Sequence, residues 1–222
     1  MRIYDMYPLD FKEFAQAAGV HDGTFEQLYT HFKERTPVDE FVHAKMLDVF
    51  YLYLIIGGMP EAVSTYIETN DLAQVAQVHN KDYPSFNKKD FSKYEHRYKL
   101  KLQEIYDAMP RQLDQKNKRF QLNSLGKGIS YDRVANDFLW LKDAGVAIPV
   151  YNISEPKSPL IISENRNLFK LFFSDVGLLT SCYSNQVKVA ILNKDKSINN
   201  GALFENAVAQ ELPSKGHKGV LF

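Results

Sequence analysis

Histidine, cysteine and paired carboxylates are the residues through which a chain would hold a metal or move a proton, and their spacing here is uninviting. The six histidines, His21, His31, His43, His79, His96 and His217, are scattered, with no pair four residues apart and no HExxH string, so no helix-borne zinc site is expected. Cys182 is the only cysteine, which rules out an internal disulfide or a cysteine zinc cluster. With Ser181 beside it and no evident base, it is expected to be a buried structural thiol rather than a nucleophile. The acidic residues show no pairing for glycosidic or phosphoryl chemistry. Asp175 is the most inviting of them, yet FSDVGLL reads as an N-cap ahead of an apolar helix. A phosphate cradle needs a glycine-rich loop ending in Lys-Ser or Lys-Thr. The nearest string, LGKGIS from Leu125 to Ser130, has its lysine between the glycines and is expected to be a turn. No catalytic residue, cofactor or metal is therefore expected on this chain.

Charge gives a stronger signal. The 222 residues balance 27 Lys and Arg against 27 Asp and Glu, but the zero is a sum of unlike parts. Residues 1–78 carry 5 basic against 12 acidic residues, whereas 79–133 carry 13 against 7. The basic stretch includes Lys88, Lys89, Lys93, Arg97, Lys99, Lys101, Arg111, Lys116, Lys118, Arg119, Lys127 and Arg133, a composition that suits a polyanion. Interleaved Glu95, Glu104, Asp107 and Asp114 favour the alternative of a solvated helix surface. The longest apolar run, Val49 to Ile56, falls far short of the roughly 20 residues a membrane helix needs. The start, MRIYDMYPLD, lacks the features of a signal peptide. A cytoplasmic protein without membrane association is expected.

The elements that must position these residues are mostly helical. Asp10 is expected to cap a first helix closed by Gly19, and Phe25, Leu28, Tyr29 and Phe32 mark a second amphipathic helix. Thr36-Pro37 is expected to open a long helix that Gly57 and Gly58 stop, and Pro60 to start the next. From Asp71 the pattern stays helical, with an interruption at Tyr83-Pro84 and a new turn at Met109-Pro110. One clear helix runs from Tyr131 to Ala144, capped by Gly145. Strands are expected at Val146–Val150, Leu160–Ile162 and Leu168–Phe173, with SEPKSP as a turn. Asp175 caps VGLLTSCY, a loop runs through Asn200, a helix covers Ala202 to Leu212, and GVLF ends the chain as a strand with an unpaired edge. The segment beyond about Gly201 is expected to pack weakly or to pair with another chain.

Between residues 100 and 173 this order of helix, short segment, helix and strand pair is that of a winged helix-turn-helix. The helix after Ser130 would then be the one that enters a DNA groove, with Lys127, Tyr131, Arg133 and Asn136 exposed at its start. Lys118 and Arg119 complete the candidate nucleic-acid contacts. Asp132, Asp137 and Asp143 on the same helix would face phosphates and oppose that role. Trp140 is expected to be buried, so that its truncation would cost roughly 3–5 kcal/mol.

Several strings occur together and in order: MYPLDFKEF, GGMPEAV, IYDAMPRQL with NKRF, WLKDAGV, FKLFFSDVGLL and GALFENAVAQEL. They resemble the C-terminal half of a large prokaryotic family of AAA-type ATP-binding proteins, in which the ATPase module is followed by a domain of unknown function. The resemblance implies a predominantly helical α+β fold in four parts. Residues 1–36 would be the exit segment from the ATPase core, 37–98 a lid-like helical bundle and 99–173 a winged helix. Residues 174–222 would be a linker helix and the start of a restriction-endonuclease-like domain, in which Glu205 matches the first-helix acidic residue. The chain departs from that family by lacking the Walker motifs ahead of Met1 and the Asp and Glu-x-Lys beyond Phe222, so Glu205 would be an incomplete magnesium site. ATP and magnesium are thus implied for the full-length family and not for this chain. The leading expectation is a non-catalytic interaction region that meets another protein chain or an ATPase module. The alternatives are an autonomous DNA-binding winged helix and one part of a multi-chain ATPase or nuclease.

Overall fold

A computed structural model describes residues 6–80, 96–155 and 160–217. It is α+β and predominantly helical, and it divides into two units: Met1–Asn80 with Asp175–Asn200, and Lys81–Ser174 with Gly201–Phe222. The stretch read from sequence as one 174–222 part is therefore shared between them.

The first unit holds α1 (Phe11–Ala17), α2 (Asp22–Glu34), α3 (Glu40–Ile56), α4 (Pro60–Thr69), α5 (72–80), α8 (Val176–Ser181) and α9 (Asn185–Leu192). Its axis is α3, which packs against α1, α4, α8 and α9. The last turn of α3, Tyr53 to Ile56, is buried on every side, as an apolar run without polar positions must be. Phe14 and Phe11 on α1 meet the Tyr53 ring at 5.2 and 5.7 Å. Asp10 caps α1 in a capping box with Glu13, each side chain accepting the other's backbone N–H at 2.9 Å.

The carbonyl end of α3 meets a turn that tolerates no Cβ. Gly57 ends the helix at φ +75°, and a Cβ there would overlap the Asp175 carboxylate. A Cβ on Gly58 would overlap the carbonyl of Leu9, whose N–H donates to the Gly58 carbonyl at 2.7 Å. A Cβ on Gly177 would overlap the carbonyl of Ile56. Into this close approach the fully buried Asp175 sends one oxygen to accept the Gly58 N–H at 2.6 Å and the other to accept the Gly177 N–H at 2.8 Å. Charge-assisted bonds of this kind are what make a buried carboxylate tolerable. Nearby, Thr180 donates to the Leu54 carbonyl and His79 Nε2 donates to the Ile56 carbonyl at 3.0 Å, so side chains serve helix-end acceptors that have no partner within α3.

The second unit holds α6 (His96–Asp114), a 3-10 turn (Leu122–Leu125), α7 (Tyr131–Asp143), β1 (Ala147–Ile153), a second 3-10 turn (Leu160–Ser163), β2 (Glu164–Phe173) and α10 (Gly201–Ser214). The strands pair antiparallel from Ala147↔Phe173 to Tyr151↔Phe169, then shift to Asn152↔Asn165, leaving extra residues on β2. The core is aromatic. Phe138 lies 4.9 Å edge-on to Phe169, and Phe120 and Tyr131 close around the pair at 5.5–6.0 Å. Asn206 on α10, fully buried, accepts the Phe173 N–H at 2.9 Å and donates to its carbonyl at 3.1 Å, so its amide acts as a third strand's peptide would.

Several expectations are corrected. The long helix opens at Glu40 under Asp39, whose carboxylate accepts from Phe41 and Val42, while Thr36 bonds back to His31 at the end of α2. Leu160–Ile162 belong to a 3-10 turn because Ser154 and Ser163 already close the hairpin there. Helix α6 continues through Pro110 because buried Met109 and Leu113 hold both sides of it on one core. The stretch read as a loop to Asn200 contains α9, with Ser184 as its cap. Trp140 is half-buried and its neighbour Leu139 is 53% exposed, so the truncation cost expected above does not apply. Cys182 is exposed. The described part of the segment after Gly201 packs well: Ala202, Leu203, Ala207 and Ala209 of α10 are all buried. The interruption at Tyr83-Pro84, most of the SEPKSP turn and the terminal GVLF lie outside the described residues.

Two predictions follow from the first unit. Gly58→Ala should lower unfolding stability by about 1–3 kcal/mol or more, because the obstruction is backbone and cannot swing away. Gly23→Ala, in open space within α2, should instead be neutral or stabilising by up to about 1 kcal/mol in the same urea titration. Burial holds the His79 imidazole down at about 4, against a usual 6.5, although its bond to Ile56 pulls the other way. The folded state therefore takes up its proton later than the unfolded chain. Stability from this group is complete above pH 6.5 and is lost as pH falls towards 4, by roughly 3 kcal/mol at most. His79→Gln should flatten that part of the stability–pH curve relative to wild type.

Candidate functional site

The residues singled out for nucleic acid lie in the second unit, and its core decides which of them can reach a ligand. Helix α7 places Tyr131, Val134, Asp137, Phe138 and Leu141 on its buried side, at the three- and four-residue steps of one helix face. The other side presents Arg133 and Asn136 with Asp132 and Leu139. Lys127 is exposed in the turn before α7, between Gly126 and Gly128, both at positive φ. Those three, Lys127, Arg133 and Asn136, are where the sequence put them.

Of the remaining candidates, Tyr131 and Lys118 are bonded within the fold and Arg119 is partly covered. Tyr131 is 8% exposed, its ring stacked on Phe138 at 6.0 Å and its hydroxyl 2.8 Å from that of Tyr151. Burial, reinforced by that hydrogen bond, pushes the Tyr151 phenol up. Arg119 is half-buried. Lys118 donates to Glu205 Oε1 at 2.7 Å, and Lys170 donates to Glu205 Oε2 at 3.0 Å. Partial burial raises the Glu205 carboxyl, but the two lysines outweigh it and hold the group below the usual carboxylate range. Each Glu205 oxygen thus accepts from one lysine, and the two ammonium groups set a positive field around the carboxylate. Among the described residues no group of three or more His, Cys, Asp or Glu could hold a metal.

Sequence reasoning missed the partners. Lys101 on α6 reaches α7, donating to the Arg133 carbonyl at 3.0 Å and pairing with Asp137 at 2.8 Å. Asp137 is thereby 7% exposed and turned inward, so it does not face phosphates as expected. Its place three residues after Val134 and one before Phe138 was the available signal. Lys170 falls between buried Phe169 and Leu171, where strand alternation sends it to the opposite face. A shallow cleft of about 650 Å³ opens beside α6, lined by Glu104, Asp107, Ala108, Arg111, Ser124, Leu125 and Gly126. Its charges are mixed in sign. Lys88, Lys89 and Lys93 of the basic stretch lie outside the described residues.

A two-unit, mainly helical α+β chain whose buried charges are internally paired is the class that this geometry defines. By sequence it belongs to the family described as Domain of unknown function (DUF8612), whose model matches residues 47–188, from within α3 into α9. No curated protein and no solved structure matches it. No helix among the described residues is long and apolar enough to cross a membrane.

The two sides of α7 should separate cleanly in a denaturant titration. Tyr131→Ala removes a core ring and should cost about 3–5 kcal/mol, while Arg133→Ala should change stability by no more than about 0.5 kcal/mol.

Proposed function

We propose that this chain is a non-catalytic interaction region, of the kind that follows the ATPase module in the AAA-type family its motif strings resemble. One observation carries the reading. Five of the strings that make up the resemblance fall into two sets of mutual contacts, and both are architectural. Leu9 of MYPLDFKEF, Gly58 of GGMPEAV, and Asp175 and Gly177 of SDVGLL meet at one backbone crossing. Glu205 and Asn206 of GALFENAVAQEL meet Lys118 of NKRF and Lys170 and Phe173 of FKLFF. Shared residues that are consumed in holding helices and strands define a scaffold. What a scaffold leaves at its surface is then its working part, and here that includes Tyr29, Phe32 and Phe41 in the first unit and Leu139 in the second. With magnesium present, the purified chain should show no ATP turnover and no duplex cleavage above a blank. Turnover that disappears in Glu205→Gln would overturn the reading.

A second reading has its own support. The order α6, 3-10 turn, α7, β1, β2 is compatible with a winged helix, and α7 offers Arg133 and Asn136 to solvent with Lys127 just before it. If that helix reads DNA, anisotropy of labelled random duplex should report binding at about 50 mM salt that collapses by orders of magnitude at about 200 mM. Arg133→Ala with Lys127→Ala should then weaken it further, and equal binding by this variant would remove the reading.

A further inference from the structure

We draw no further inference here: the strongest candidate, the shallow cleft beside α6 lined by Glu104, Asp107, Arg111 and Ser124, is bordered by exposed charges of both signs, and nothing in the structure shows which ligand would fill it.

Discussion

A single carboxylate holds the first unit in its closed form. Asp175 accepts from the backbone of Gly58 and of Gly177, and so joins residues 117 positions apart in sequence at a place with no room for a side chain. Much else in that unit follows from the crossing. The end of α3 must stop at a residue that accepts φ +75°, α8 must begin at once because Asp175 is also its cap, and Leu9 must run close enough to exchange a backbone bond with Gly58. A buried carboxyl is costly unless it is hydrogen-bonded, and here each oxygen of Asp175 accepts a backbone N–H.

The second unit is held by packing and trimmed by polar pairs. Its aromatic rings pack together with buried aliphatic side chains of α6, α7 and α10, but packing alone leaves register loose, since cores of the right size can repack. Here Asn206 fixes α10 to the end of β2 through both polar atoms of one peptide unit, and Lys101 fixes α6 to α7 through a carbonyl and a carboxylate. Each contact is satisfied at one relative position of its elements only.

Most helices were legible because their starts and stops are local. Asp10 with Glu13, Gly57-Gly58, Pro60 and Asp175 are punctuation that acts within a turn of where it stands. What failed depended on partners far away in sequence. Pro110 looks like a break until Met109 and Leu113 are seen to share one core, and Trp140 looks like core until α7 turns its neighbouring face to water. The candidate site suffered in the same way. Helix periodicity puts Arg133 and Asn136 on the exposed side of α7, and Lys127 is exposed in the turn before it, but Lys118 and Glu205 each look available because their partner stands 87 residues off. A long-range ion pair leaves no periodic trace in either of its segments.

The route of the chain through the two units has a consequence for its synthesis. The polypeptide leaves the first unit at Asn80, enters the second, returns at Asp175, and leaves again at Gly201. On a ribosome that adds roughly 5–20 residues each second, the helices from α1 to α5 must therefore wait several seconds or more for α8 to appear. During that interval the carbonyl of Leu54, the N–H of Gly58 and the face of α3 that packs on α8 and α9 lack the partners that arrive with Asp175 and Thr180. The newborn chain thus keeps its most apolar helix end open until the last partners emerge, a consequence of its connectivity rather than of its composition.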